Sequence, residues 1–180
     1  MKKTFLGLAI AGLALAACQS DTYYIKGEAH GIGDGTVLYL STDLQGHSRP
    51  ADSIIVSNGK FAYRGTTDAD SVWRLYTPTL PEAFVYFFAE PRNVYIELYN
   101  KAARSRVSGT KTNNEWQALN DTVAKYDRYM RKVVGNDSLS VKQKSIEMNR
   151  LYTILDDCIR QTARRNSDNV LGRFISTHYE

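Results

Sequence analysis

The chain has 180 residues, 43% hydrophobic and 23% charged, with a formal net charge of +4. That length allows a real core and suits one domain, or one domain with a helical appendage. Two cysteines, Cys18 and Cys158, exclude a disulfide-stapled scaffold, and past the N-terminus no apolar run reaches the ~20 residues of a spanning helix.

Residues 1–17 have the form of a signal peptide. Lys2 and Lys3 are a short positive region, and Thr4 to Ala17 is apolar apart from Thr4 itself. The run ends in Leu15-Ala16-Ala17-Cys18, small residues followed at once by a thiol. A plain secretory signal needs no cysteine there. A lipoprotein signal does, because the thiol takes a diacylglycerol and the freed amine is then acylated. Cys18 is therefore the expected lipidation site, and residues 18–21 are the anchor and its polar spacer. Two or more acyl chains, each at about 0.8 kcal/mol per buried methylene, hold a protein firmly on a leaflet. The expected location is a bacterial cell envelope, with the outer membrane preferred over the inner.

Residues 22–108 are expected to be strands. Tyr23, Ile25, Gly27 and Ala29 alternate with mostly polar neighbours. Gly31-Ile32-Gly33-Asp34-Gly35 is followed by Thr36, Val37 and Tyr39, β formers where a phosphate loop would need a helix, so a hairpin turn is expected. Asp52 to Val56 is a strand, Asn58-Gly59 signals a tight primed turn, and Lys60 to Gly65 alternates cleanly. Ser71 to Thr77 follows. Ala83 to Ala89 is almost wholly apolar, as expected of a central strand buried on both faces. Val94 to Tyr99 alternates again, and Arg104 to Val107 is a weak last strand. Seven or eight short strands with regular turns predict an antiparallel β-sandwich or barrel-like domain.

At Gly109 the period changes, and residues 109–180 form a helical region. Thr112-Asn113-Asn114-Glu115 has the form of a capping box. Trp116, Leu119, Val123, Tyr126, Met130 and Val133 make one apolar stripe. Ser140 with Gln143 offers a second cap. Met148, Leu151, Tyr152, Leu155, Cys158, Ile159 and Thr162 make the next stripe, so two antiparallel helices are expected. Val170 to Tyr179 is a short third helix. The fold class is thus α+β: a sandwich, then a helical hairpin and a third helix. Residues 18–100 hold 6 basic and 10 acidic side chains, residues 101–180 hold 15 and 9. Such a basic half is expected to be a solvated helical surface.

The chemistry is sparse. His30, His47 and His178 lack metal-ligand spacing, and His30 and His47 fall in expected loops. Asp68-Ala69-Asp70 lacks the glycine and glutamate of a calcium loop. Glu90 sits at a strand end. Cys158 is expected to be a small buried hydrophobe, with Gln161 where a redox partner thiol would stand. Arg160, Arg164 and Arg165 are placed near a helix C-terminus. No catalytic residue, metal ligand or cofactor is expected, and the chain is read as a non-enzyme. Twelve tyrosines and two tryptophans are mostly ordinary sheet composition, with a groove for glycan or peptide as the alternative.

Several stretches carry a resemblance: Tyr24-Ile25-Lys26-Gly27, then Asp52-Ser53-Ile54-Ile55-Val56-Ser57-Asn58-Gly59-Lys60-Phe61-Ala62-Tyr63-Arg64-Gly65, then Ala89-Glu90-Pro91, and Val107-Ser108-Gly109-Thr110 to Asn113. Over residues 22 to 115 the chain resembles the domain of unknown function 4369 of Bacteroidetes lipoproteins. Arg92 departs from the glycine such proteins carry after Glu-Pro, with Asn93 available for a left-handed turn. The resemblance implies a place between a lipobox and a thioredoxin-like disulfide reductase domain. The Trp-Cys-x-x-Cys segment of that domain has no counterpart in these residues, so no redox residue is carried over. The expectation is a lipid-anchored envelope protein with a non-catalytic binding or scaffolding β domain. The alternatives are the front module of a thiol-disulfide oxidoreductase and a glycan- or peptide-binding lipoprotein. Expected partners are the membrane and a periplasmic thioredoxin-like or other envelope protein, and no nucleic acid.

Overall fold

The computed structural model describes residues 21–45, 48–66 and 71–179. Eight strands come first: β1 (Thr22–His30), β2 (Val37–Ser41), β3 (Asp52–Ile55), β4 (Lys60–Thr66), β5 (Val72–Tyr76), β6 (Phe84–Phe88), β7 (Asn93–Tyr99) and, after a 3-10 turn at Ala102–Arg104, β8 (Arg106–Ser108). Three helices follow: α1 (Lys111–Val134), α2 (Val141–Arg165) and α3 (Val170–Tyr179). The strands form two four-stranded sheets, ordered β4-β1-β7-β8 and β3-β2-β5-β6. The fold is α+β, sandwich-like, and the sheets do not close into a barrel.

Period-two patterning builds the interior. Tyr23, Ile25 and Ala29 of β1 are buried, and Tyr24, Lys26 and Glu28 face solvent. Val94, Ile96 and Leu98 of β7 do the same beside them. All pairings are antiparallel except β1 with β7, which run parallel. No helix makes that crossover. The chain passes through the second sheet and returns.

Gly31 to Gly35 does not make a hairpin. β1 and β2 belong to different sheets, so this segment carries the chain across the sandwich. The Asp34 carboxylate accepts the N–H groups of Asn58 and Gly59 at 2.9 and 2.8 Å, tying the crossing to the next turn. Asn58 and Gly59 have φ of 52° and 67°, the primed turn expected of Asn-Gly. Ser57 and Lys60 exchange backbone hydrogen bonds at 2.9 and 3.0 Å across it, and β3 and β4 then part into opposite sheets. Asn93 keeps an ordinary negative φ, and Asn58 is the one non-glycine residue with positive φ among the described residues.

β6 is an edge strand, not a central one. It is apolar on both faces because a third layer covers it. Val85 and Phe87 face the interior, and Phe88 lies under Trp116 of α1 and Phe174 of α3, ring centroids 6.4 and 6.2 Å away. Trp116 and Phe174 meet each other at 5.3 Å. Burying each of these large side chains contributes about 1.5–3 kcal/mol.

Thr110 caps α1, not Thr112: its hydroxyl accepts the Asn113 N–H at 3.3 Å. Thr112 instead gives its hydroxyl and N–H to the Glu90 carboxylate, at 2.7 and 3.2 Å. An anion at a helix start is favourable, so Glu90 is a structural residue. Ser140 and Gln143 form the expected capping box on α2. The hairpin is antiparallel. Lys144 reaches the Val134 carbonyl at one end (2.7 Å), and Asn166 donates to Glu115 at the other (2.5 Å). Leu151 and Met130 are buried, whereas Tyr152, placed in the same stripe by its spacing, is exposed.

Candidate functional site

α1 lies across a seam between the two sheets, touching the edge strands of both. Two carboxamides on one helix face plug the seam. Asn113, fully buried, accepts the Phe88 N–H through Oδ1 at 2.9 Å and donates Nδ2–H to the Phe88 carbonyl at 2.8 Å. One turn on, Gln117 Oε1 accepts the Val107 N–H of β8 at 2.8 Å. Gly109, just before the helix, has φ of 102°, and a Cβ there would lie 2.3 Å from the Asn93 carbonyl oxygen. This close approach lets α1 start directly off β8.

Beyond Gln117 the seam opens into a cleft of about 460 Å³. Phe84 and Tyr86 of β6 form one wall, Trp116 and Val123 of α1 another, and Phe174 and Tyr179 of α3 the third. The charged groups at its rim are paired among themselves. Arg106 meets Asp121 at 2.6 Å, and Asp127 pairs with Arg131. Burial alone would raise the Asp121 carboxyl, but hydrogen bonds from Arg106 and Gln117 outweigh it and hold it below the usual range. Burial, then the neighbouring Tyr86, raises the Tyr179 hydroxyl above its ordinary value, keeping it neutral. The Asn120 amide and the Tyr86 and Tyr179 hydroxyls line the cleft and make no hydrogen bond among the described residues. The cleft thus offers aromatic walls and uncharged donors and acceptors.

A second concavity of about 770 Å³ lies over the outer face of the β4-β1-β7-β8 sheet. Its floor carries a cross-strand row, Lys60, Glu28, Glu97 and Arg106, in register through all four strands. This row is charged from edge to edge and is flanked on the same face by Tyr24, Ala62 and Tyr95, a mix that suits a solvated sheet face.

Cys18, His47 and Asp68-Ala69-Asp70 lie outside the described residues. His30 ends β1, where it stacks on Tyr99 at 4.4 Å with Glu28 at 3.6 Å; it is not in a loop. His178 sits at the cleft, its Nδ1 bonded to the Phe174 carbonyl oxygen at 2.9 Å. Cys158 is half-buried and unpaired in α2. Asp156 pairs with Arg160 at 2.8 Å. Among the described residues no three His, Cys, Asp or Glu side chains are grouped to hold a metal. The exposed tyrosines are scattered: Tyr24 and Tyr95 on the outer sheet face, Tyr129 and Tyr152 on the helices, and only Tyr179 at the cleft. Sequence reasoning placed Asn113 only in a capping box and at the end of the family resemblance, and passed over Gln117 and Asn120. Their spacing of four and three, beside the apolar stripe, was the available signal.

Fold and seam define a two-sheet sandwich buttressed on one side by helices. The family model for the domain of unknown function DUF4369 matches residues 23–116, and the chain belongs to that family. No curated protein matches it. Among solved structures, a DUF3823 family protein from Parabacteroides merdae ATCC 43184 is similar at 17% identity with a TM-score of 0.34, covering 44% of this chain; the chain spans 46% of that protein.

Proposed function

We propose that this chain is a lipid-anchored protein of the bacterial cell envelope, with a β domain that binds or scaffolds and carries out no catalysis. The observation that carries the reading is Leu15-Ala16-Ala17-Cys18, a lipoprotein processing site three residues short of the spacer's end at Asp21. Diacylglycerol on the Cys18 thiol and an acyl group on its freed amine give the two or more chains that stable attachment needs. The outer membrane is the preferred site.

Labelling cells with radioactive palmitate tests the anchor. The wild-type chain is expected to carry label and sediment with membranes, and Cys18→Ala to do neither. A Cys18→Ala protein that still matures and partitions with membranes overturns the reading. Within the binding role, the aromatic cleft favours a ligand over a purely scaffolding surface, because its size lies in the ~300–1,000 Å³ range of ligand pockets.

A further inference from the structure

The seam is plugged by Asn113 at Phe88 and closed again beyond Phe84, where Ala102 donates to the Glu82 carbonyl at 2.6 Å, and the Asn113 plug shows what the gap between them accepts. Phe88 gives both its peptide N–H and its C=O to the Asn113 carboxamide, so these groups point away from β5. β6 pairs with β5 antiparallel, with Phe88 opposite Val72, Tyr86 opposite Arg74 and Phe84 opposite Tyr76. In such a ladder alternate residues direct their peptide groups the same way. Tyr86 and Phe84 therefore aim theirs at the free edge too. Ala83, of the opposite parity, agrees: its carbonyl turns towards β5 and accepts the Thr77 N–H at 3.4 Å. No residue described across the seam pairs with Tyr86 or Phe84.

Edge peptide groups inside an apolar-walled cleft are normally paired or covered. A carboxamide has the donor and acceptor of one peptide unit. Asn113 does for Phe88 what one residue of a neighbouring strand would do. The geometry points to a peptide-binding site in which an extended segment of another polypeptide pairs with β6 at Phe84 and Tyr86, as a fifth strand of that sheet. Three residues at about 3.4 Å each span the open edge. Phe84, Tyr86 and Phe174 would receive apolar side chains at alternate positions. The rim charges are spent on one another, Arg106 on Asp121 and Asp127 on Arg131, so the segment is uncharged at its centre. Asn120, on the helix face of Asn113 and Gln117, supplies a free amide for one of its peptide groups. The inference rests on the binding role proposed above and is independent of the lipid anchor.

The test pans a phage-displayed library of random decapeptides against the full chain carrying Cys18→Ala. An enriched peptide is then added to the isotope-labelled protein and amide hydrogen exchange is followed by NMR. The Phe84 and Tyr86 amides are expected to exchange at least about tenfold more slowly with peptide bound, while Val85 and Phe87, already bonded to β5, do not change. N-methylation of alternate peptide residues should weaken binding about tenfold or more, since it removes donors and leaves side chains. Tyr86→Pro, which deletes the N–H aimed at the seam and spares the β5 ladder, should abolish binding. The inference is overturned if no peptide enriches, if enriched peptides leave Phe84 and Tyr86 exchange unchanged, or if N-methylated peptides bind equally well. A neutral oligosaccharide that perturbs Trp116 fluorescence where peptides fail would reassign the cleft to sugars. Palmitate labelling does not depend on any of these results, so the two readings fail separately.

Discussion

Gly27 is fixed by the residue across from it. It pairs with Phe61 on β4, and a Cβ at position 27 would lie 2.1 Å from the ring. The same arrangement repeats at the pair of Tyr23 and Gly65. Each ring lies over bare backbone, and each is held by the core. Gly27→Ala is expected to cost about 1–3 kcal/mol in chemical denaturation, as overpacking does. Gly33→Ala, with nothing within 4 Å of the new Cβ, should stay within about 0.5 kcal/mol of wild type. Equal losses at both positions would remove the packing explanation. Tyr23 and Tyr63 sit together at this point, and burial raises both hydroxyls, helped at Tyr23 by Tyr63 and Asp52 and at Tyr63 by its hydrogen bond to Asp52 and the charge there. A raised folded pKa means stability is fully present below the unfolded tyrosine value of about 10 and is lost as pH rises from there through the higher folded value. The denaturation midpoint should therefore fall above about pH 10, and Tyr23→Phe should make that fall shallower.

At the scale of elements, α1 is a clamp, and its grip is polar. Asn113→Ala would leave the Phe88 N–H and C=O without partners in a buried place. That should cost about 2–4 kcal/mol, against roughly 1 kcal/mol for Gln117→Ala, which strands a single N–H beside a half-buried side chain. Thermal unfolding of the two variants checks the order, and a larger loss for Gln117→Ala would refute it. The elements themselves were legible because alternation and stripes are local: Tyr23 to Ala29, Lys60 to Gly65 and the Trp116 stripe sit where their periods place them. What escaped depends on partners distant in sequence. The glycines of Gly31 to Gly35 mark a turn, but not that the turn changes sheets. The apolar run in β6 gives burial on both faces, but a covering helix and a neighbouring sheet leave the same imprint. Thr110 and Thr112 are both good caps, and only Glu90, folded back from the preceding turn, decides between them. For the same reason the plugging amides looked like ordinary polar helix residues.

At the scale of the whole molecule, the two ends of the sandwich differ. β1 starts where β6 turns into β7, since Tyr24 donates to the Arg92 carbonyl at 3.1 Å, and α1 starts there too, with Thr112 on Glu90. α1 then runs about 36 Å. Asp127 has already reached the far side of the cleft beside Phe84 and Ala102, and the last turns of α1 continue past it. The tip near Asn136 thus lies at the end opposite the residues that lead to Cys18. On the lipidated protein in vesicles, a fluorophore at Asp137→Cys should resist quenchers placed in the lipid headgroups, and one at Asp21→Cys should be quenched. Equal quenching would mean the molecule lies flat on the bilayer. The basic residues of the hairpin, among them Lys132, Lys142 and Lys144, lie towards that same far end, and the proposed anchor would hold them away from the membrane surface.

The parallel pairing of β1 with β7 sets the order in which the chain can fold. Tyr24 bonds in register with Arg64 on one side and Asn93 on the other, so the first strand has no local partner. Closing such long loops precedes any gain from the contacts they make, and sandwiches of this kind fold in milliseconds to seconds. The segment next to Cys18 is therefore paired on both sides only after β7 exists to receive it. If the chain is exported and anchored as proposed, this order would keep it threadable while most of its length is still passing through a translocon, and would lock the anchored end only when the sheet behind it is ready.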